Sequence, residues 1–231
     1  MIVTVDGPGG SGKSTVSRIL ARRLGLPYLN SGYIYRAVTL LILEDGGYFE
    51  DRERVAAVIR RMDLRFREDE ETTRVFVGER EVTARLKAPD VTPQVYRIAN
   101  DGMYRSLLVD LQRRCAEPNG LVAEGRDMGT VIFPQADHKF FLDASPEVRA
   151  RRQHRDLDAG GHARSFADVL QEVLERDKHD RQRKDAPLRV APGATIIMTD
   201  ELSIRDVVSR MLQKIQGTGV VPHEGNQGGL G

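Results

Sequence analysis

The sequence has a single cysteine, Cys115, and no long apolar run. One cysteine excludes an internal disulfide, and such sparing use is typical of proteins from a reducing compartment. No stretch approaches the roughly 18 consecutive apolar residues of a membrane-spanning helix. Met1 leads directly into an apolar strand pattern rather than into a basic leader segment. We therefore expect a cytoplasmic protein without a membrane partner.

The sequence also lacks an excess of charge of either sign. Its 35 lysines and arginines nearly balance its 34 aspartates and glutamates, which gives a formal net charge of +1. This balance provides no global attraction for nucleic acid, so we expect no nucleic-acid partner, and any anion must bind locally. The 231 residues suit one α/β domain with a small insertion, and we expect a monomer.

The amino-terminal segment combines a strand, a glycine-rich loop and a helix. Ile2–Asp6 has the pattern of an apolar strand, a Gly-x-x-x-x-Gly-Lys-Ser loop follows, and Val16–Leu24 has helical periodicity. This order and this spacing are typical of a phosphate-binding loop. The loop residues are Gly7, Pro8, Gly9, Gly10, Ser11, Gly12, Lys13, Ser14 and Thr15.

The composition of the phosphate loop suits a nucleoside triphosphate. Glycines let successive backbone N–H groups turn inward around phosphate oxygens, and the following helix offers the positive end of its dipole. Lys13 can reach the β- and γ-phosphates, and the Ser14 hydroxyl is placed to bind the accompanying metal ion. We therefore predict that the protein binds a nucleoside triphosphate together with Mg²⁺.

Short apolar strands alternate with helices along most of the chain, which predicts an α/β fold with a parallel sheet flanked by helices. We assign residues 1–62 and 117–216 to this core, with a lid at about 150–185. Residues 63–116 form an inserted module, because short alternating segments near its start predict a small antiparallel sheet. The glycine-rich residues 217–231 lack periodicity and predict a disordered tail.

Two further segments have distinct patterns. Residues 92–116 predict one long helix that leaves the inserted module. Residues 156–164 contain paired glycines among charged side chains, which predicts a mobile flap before a polar helix over residues 165–183.

Three later segments carry side chains that suit a second anion site. They are Ser31–Arg36, Gly125–Asp127 and Arg176–Arg183. The second follows a predicted buried strand, and ligands of open α/β sheets bind outside the carboxyl ends of strands. Each segment also has a structural interpretation: a helix cap with a surface arginine, an internal ion pair, and a solvated helix face, respectively. The Asn-Lys-x-Asp segment typical of GTPases does not occur in the chain.

Together with the phosphate loop, these segments resemble the bacterial cytidylate kinases. The matching motifs are Ser-Gly-x-x-Tyr-Arg at residues 31–36, Gly-Arg-Asp-Met-Gly-Thr at 125–130, and Glu-Arg-Asp-x-x-Asp-Arg-x-Arg at 175–183. Their order and separations agree with the family over roughly residues 1–215. The resemblance implies a phosphate-loop kinase core, an inserted module that binds the nucleoside monophosphate, and an arginine-bearing lid. The implied reaction is Mg²⁺-dependent transfer of phosphate from ATP to CMP or dCMP.

The resemblance also implies roles for individual side chains. In the acceptor site, arginines would bind the CMP phosphate. A hydroxyl and a carboxylate would accept hydrogen bonds from the cytosine amino group, and two arginines would donate to the O2 and N3 side of the base. An Arg–Asp pair would lie at the ribose. These acceptor residues, with a tyrosine of the first motif, are Ser31, Tyr35, Arg36, Arg105, Arg126, Asp127, Arg176, Asp180 and Arg183. The implied catalytic set is Lys13, Arg126, Arg176 and Arg181, and lid arginines implied at ATP are Arg149 and Arg152.

The chain departs from the family pattern at three positions. Asn30 stands where Asp or Thr is common, Tyr96 aligns with a serine near the ribose, and Gly102 replaces a proline before Arg105. The preference between CMP and dCMP therefore stays open. Two other functions fit a phosphate loop: a kinase for another acceptor, such as UMP, dTMP or a shikimate-like alcohol, and a nucleotide-binding switch with little turnover.

Overall fold

The computed structural model describes residues 1–69, 72–116, 119–160 and 164–217. Of the predicted tail, only Gly217 belongs to these residues. The eight strands of the described residues are β1 (Ile2–Asp6), β2 (Tyr28–Asn30), β3 (Leu64–Glu68), β4 (Thr73–Val77), β5 (Arg80–Glu81), β6 (Leu121–Gly125), β7 (His138–Asp143) and β8 (Thr195–Met198). The α-helices are α1 (Lys13–Leu24), α2 (Ser31–Glu44), α3 (Arg52–Arg61), α4 (Val95–Ala99), α5 (Gly102–Arg114), α6 (Pro146–Ala159), α7 (Phe166–Gln182) and α8 (Ile204–Gln216).

A five-stranded parallel sheet forms the core, in the order β2-β6-β1-β7-β8. Valines of β1 and β6 pack against α1 and α8 on one face of this sheet, and a larger apolar cluster covers the other face. The separate antiparallel sheet β3-β4-β5 lies within residues 63–116, the range predicted as an inserted module. Both sheets confirm the predicted fold class. No helix of the described residues is both long and apolar enough to cross a membrane.

The register of the parallel sheet brings the sequence motifs to one edge. Asp6 pairs with Gly125, and Asn30 pairs with Glu124, so β1, β2 and β6 end side by side. Three motifs begin immediately after these ends: the phosphate loop after β1, the Ser31 segment after β2, and the Arg126 segment after β6. Strands of a parallel sheet thereby gather segments that lie far apart in the sequence.

The prediction of one helix over 92–116 is wrong. The chain instead forms a 3₁₀ turn at Thr92–Gln94 and then the two helices α4 and α5. The break lies at Asp101, whose carboxylate accepts hydrogen bonds from the backbone N–H groups of Met103 (2.9 Å) and Tyr104 (3.3 Å). An aspartate in this position caps a new helix rather than continuing the previous one.

The flap prediction for 156–164 is wrong over its first part. Residues 156–159 are the last turn of α6, in which Leu157 packs against a small apolar cluster between α6 and α7. That cluster is formed by Ala150, Val169 and Val173. Residues 161–163 lie outside the described residues. The contact of the half-buried Leu157 with this cluster accompanies a helix that continues up to the first of the paired glycines, on which the flap prediction rested.

Candidate active site

The phosphate loop adopts backbone conformations that require glycine. Gly7, Gly10 and Gly12 have φ values of 145°, 80° and 89°. A Cβ added to Gly7 would lie 2.0 Å from the carbonyl oxygen of Leu142 at the end of β7. Side chains at Gly7 and Gly10 would therefore clash with their neighbours, whereas at Gly12 only the backbone conformation favours glycine.

Lys13 lies folded into the phosphate loop. Its Nζ donates a hydrogen bond to the Pro8 carbonyl at 2.6 Å, and the residue is only 6% exposed. Burial lowers the pKa of Lys13 to about 7, and the neighbouring guanidinium groups of Arg126 and Arg176 contribute in the same direction. A bound anion would relieve this repulsion and favour the charged ammonium.

Two arginines face the loop from the other side of the cleft. A Cβ added to Gly9 would lie 3.5 Å from both the Arg126 and the Arg176 guanidinium groups. Repulsion by the neighbouring Arg126 guanidinium is the largest cause that lowers the pKa of Arg176 to about 10. Three cations, Lys13, Arg126 and Arg176, therefore lie near one another at the loop, which is the arrangement that a phosphate group requires.

A second set of charges lies beside these cations. Arg126 Nε donates to Asp180 Oδ2 at 2.7 Å, and Arg183 pairs with the other oxygen of the same carboxylate. Burial acts to raise the pKa of Asp180, but the two arginines outweigh it and the pKa is lowered. The helix face predicted for Arg176, Asp180 and Arg183 is thus directed at the Arg126 segment.

Asp127 and Arg105 form a buried ion pair, with side chains 5% and 7% exposed. Arg105 also donates to the Ala99 carbonyl at 3.0 Å, and its guanidinium lies 5.5 Å from the centre of the Tyr35 ring. Burial raises the pKa of Asp127, although Arg105 acts against it. The pair with Arg105 uses Oδ2 of Asp127. In the part of the chain that the structure describes, the other carboxylate oxygen of Asp127, Oδ1, accepts no hydrogen bond. That oxygen can accept from a ligand.

Ser31 and Arg36 border the same region from α2. A Cβ added to Gly125 would lie 2.6 Å from Ser31 Oγ, which places that hydroxyl against the start of the Arg126 segment. Arg36 donates to the Leu86 carbonyl (2.9 Å) and to Thr92 Oγ1 (2.7 Å), so this side chain is held by the inserted residues.

Arg176 is one of the four arginines predicted for the lid, and the other three have different surroundings. Arg149, 2% exposed, pairs with Asp177 through both of its terminal nitrogens and donates to the Gly9 carbonyl at 3.2 Å. Arg152 donates to the Gly10 carbonyl (3.4 Å) and to Thr199. Arg181 is half exposed, 3.8 Å from Asp143. Arg149 and Arg152 thus stabilise the phosphate loop through hydrogen bonds to its backbone carbonyls. Their contacts with ATP stay predictions.

Replacing Arg149 with methionine should lower the stability of the protein by about 3–5 kcal/mol, because Asp177 would lose its buried partner. Chemical denaturation monitored by circular dichroism measures this change. Arg164→Met is the matched control, because its pair with Glu172 is exposed and contributes only about 0–1 kcal/mol. Equal losses in the two variants would contradict a supporting role for Arg149.

Two buried carboxylates at the sheet edge were missed from the sequence. Glu124 Oε1 accepts hydrogen bonds from the Tyr28 hydroxyl (2.5 Å) and the Asn30 amide (2.6 Å), and burial raises the pKa of Tyr28. Asp6 accepts from the backbone N–H groups of Met128 and Gly129, both at 2.8 Å. Burial raises the pKa of Asp6 to about 6, although these two bonds act against it. An acidic residue at or next to the end of an apolar strand, just before a motif, is the sequence signal for both.

Comparisons with known proteins agree with this geometry. A family model described as cytidylate kinase matches residues 3–217. The chain is 41% identical over 215 residues to the cytidylate kinase of Carboxydothermus hydrogenoformans, covering 93% of this chain and 97% of that protein. It is 42% identical over 214 residues to the cytidylate kinase of an Exiguobacterium species, with coverage of 93% and 96%.

A solved structure resembles the chain at the level of the fold alone. It is an uncharacterized protein from Eubacterium ventriosum, with a TM-score of 0.52, 10% sequence identity and coverage of 94% of this chain and 99% of that one. The motif geometry and the sequence relatives, rather than this likeness, carry the functional argument.

Proposed function

The chain belongs to the cytidylate kinase family, and on this basis we propose that it transfers the γ-phosphoryl group of ATP to CMP or dCMP, giving ADP and CDP or dCDP. The observation that carries this function is the approach of Arg126 and Arg176 to the phosphate loop, directly beside the carboxylate of Asp127. The phosphate loop accounts for a triphosphate donor. The adjoining arginines and the carboxylate account for an acceptor with a phosphate and an amino-bearing base.

The donor site consists of the phosphate loop and the first turn of α1. Backbone N–H groups of residues 9–15 surround the β- and γ-phosphates of ATP, and Lys13 leaves the Pro8 carbonyl to reach them. Ser14, exposed at the start of α1, would hold Mg²⁺ through its hydroxyl. This single hydroxyl fits the ion, because Mg²⁺ completes its oxygen ligands with phosphate and water. When bound, Mg²⁺ supplies neutralisation of phosphate charge.

The acceptor phosphate binds between Arg36 and Arg126, whose planar guanidinium groups donate paired hydrogen bonds to phosphate oxygens. Arg176 and Asp180 lie at the ribose. The pairing of Asp180 with Arg126 supports a sugar site adjacent to the phosphate site.

Cytosine is recognised through its amino group at position 4, where uracil carries a carbonyl. Ser31 Oγ and the free oxygen of Asp127 accept from this amino group, and Arg105 and Arg183 donate to the O2 and N3 side of the base. The Arg105–Asp127 pair supports this assignment because Arg105 acts against the burial that raises the pKa of Asp127, and so favours the charged, accepting carboxylate. The Tyr35 ring lies against Arg105 and limits its movement.

The chemical step is a direct in-line transfer. An oxygen of the CMP phosphate attacks the γ-phosphorus, a new P–O bond forms, and the bond from the γ-phosphorus to the β,γ-bridging oxygen breaks with ADP as the leaving group. The attacking oxygen is already anionic, so no catalytic base is required. Lys13, Arg126, Arg176 and Arg181 neutralise the charge in the transition state.

Closure of the lid, residues 150–185, brings Arg181 to the γ-phosphate and excludes water that would otherwise hydrolyse ATP. Arg149 and Arg152, on α6, complete the ATP site. The inserted residues 63–116 form the module that carries the acceptor. The protein acts as a cytoplasmic monomer.

Release of ADP from MgATP, measured with CMP, dCMP, UMP, dTMP, AMP or no acceptor, tests this function. We expect fast turnover with CMP or dCMP and little with the other nucleotides, because uracil and thymine present a carbonyl to Asp127, and adenine has a C–H group where cytosine offers the O2 acceptor. Preference for UMP or dTMP would indicate a different acceptor. Bound ATP without stimulation by any acceptor would indicate a nucleotide-dependent switch.

A further inference from the structure

Asp6 connects the donor half of the site to the acceptor half. It is the last residue of β1, directly before Gly7 of the phosphate loop, and is 2% exposed. Its two carboxylate oxygens accept separate hydrogen bonds from the N–H groups of Met128 and Gly129, residues more than a hundred positions later in the chain. In the described residues Asp6 makes no hydrogen bond to Lys13, whose ammonium is instead bonded within the loop.

The two bonds fix the start of a short π-helical turn, Met128–Ile132. Arg126 and Asp127 immediately precede this turn, and Asp127 is the residue at which it begins. The position of this turn therefore sets the position of both side chains relative to the phosphate loop. The alignment of the bound acceptor with the bound donor depends on the distance between these two side chains and the phosphate loop.

We infer that Asp6 is a positioning residue, which holds the acceptor-binding side chains of Arg126 and Asp127 in register with the phosphate loop. This inference rests on the proposed function of those two side chains. Asp6 touches neither the donor nor the acceptor in this scheme and acts through the backbone of Met128 and Gly129.

The carboxylate of Asp6 is both costly and well suited at this buried position. Burial raises the pKa of Asp6, so above that pKa the charged form costs folding free energy relative to the unfolded chain. A carboxylate is nevertheless suited to the site, because its two oxygens accept from two N–H groups at once. An asparagine side chain accepts through one oxygen only, and its N–H₂ group would face the second amide.

The packing around Gly129 offers a second way to displace the Met128–Ile132 turn from β1, which is independent of the Asp6 carboxylate. A Cβ added to Gly129 would lie 2.9 Å from Thr4 Oγ1, 3.1 Å from Ala191 Cβ and 3.3 Å from Asp6 Oδ2. The turn has no space on this side and must move away from β1 to accommodate an alanine. Gly129→Ala should therefore reproduce the effect of losing the Asp6 carboxylate.

The test compares Asp6→Asn and Gly129→Ala with the matched control Thr4→Val. Thr4 lies two residues before Asp6 on the same face of β1, is fully buried, and its hydroxyl has no hydrogen-bond partner among the described residues. The measurements are binding of CMP alone, binding of a non-hydrolysable ATP analogue alone, and steady-state kinetics. Circular dichroism establishes that each variant is folded.

We expect both variants to weaken CMP binding and to raise the KM for CMP by about 10–100-fold, with the affinity for the ATP analogue changed by less than about twofold. Thr4→Val should retain wild-type values for all three. Unchanged CMP affinity in Asp6→Asn, or an equal loss of CMP and ATP-analogue affinity, would overturn the inference. If Asp6→Asn does not fold, Gly129→Ala decides by the same criteria. Failure of the proposed function is a separate outcome, because the wild-type protein would then show no CMP-stimulated ADP release.

Discussion

Replacement of Lys13 by methionine should reduce phosphoryl transfer by about 10³-fold or more while leaving CMP binding nearly unchanged. The Lys13 ammonium is the cation inside the phosphate loop, and methionine has a similar length without the charge. Loss of this charge removes stabilisation that develops as the γ-phosphoryl group transfers. The acceptor site would keep Arg126 and the buried Asp127, which do not depend on Lys13 for their hydrogen bonds. Coupled ADP release and CMP titration measure the two effects separately.

Lys139→Met is the matched control for this variant. The Lys139 ammonium likewise bonds a proline carbonyl, that of Pro134 at 2.5 Å, but its contacts lie outside the phosphate loop. We expect wild-type turnover from this variant. Retained turnover in Lys13→Met would contradict the proposed mechanism, and an equal loss in both variants would indicate that the effect is one of folding.

The fold was predictable where a local pattern determines structure. The phosphate loop was identified from its spacing alone, and its positive φ values at Gly7, Gly10 and Gly12 follow from the glycines. The short alternating segments likewise predicted the antiparallel sheet. The break between α4 and α5 was missed because periodicity continues across it, whereas the side chain of Asp101 caps the second helix. A capping bond of this kind competes with an apolar pattern and leaves little trace in it.

The candidate site was predictable in its motifs but not in its supporting contacts. Asp6 and Glu124 lie at or next to the ends of their strands, but their partners are 122 and 94 residues away in the sequence, so no local spacing shows what they contact. The surroundings of Arg149 were equally hidden, because a sequence does not indicate which arginine of a charged helix is buried. Such contacts arise from the register of the parallel strands and from the packing of α6 against α7.

Replacement of Asp127 by asparagine should reduce kcat/KM for CMP by about 10³-fold and reduce the preference for CMP over UMP by about 10²-fold or more. The Asp127 carboxylate accepts from the cytosine amino group in the proposed complex, and it repels the carbonyl oxygen that uracil presents at the same position. An asparagine amide can donate to that carbonyl, so the repulsion becomes an attraction. Steady-state kinetics with both nucleotides measures the ratio.

The same substitution has an effect on folding that must be separated from the effect on specificity. Arg105 would lose the charge of its buried partner, at a cost of about 3–5 kcal/mol, whereas Asp90→Asn breaks the half-exposed pair with Arg85 and should leave stability nearly unchanged. A loss of stability alone lowers the fraction of folded enzyme and reduces turnover with CMP and UMP in equal proportion. The ratio of kcat/KM for CMP to kcat/KM for UMP is therefore independent of the loss of stability. An Asp127→Asn enzyme that is less stable but keeps the wild-type preference for CMP would show that the carboxylate supports Arg105 and does not recognise the base.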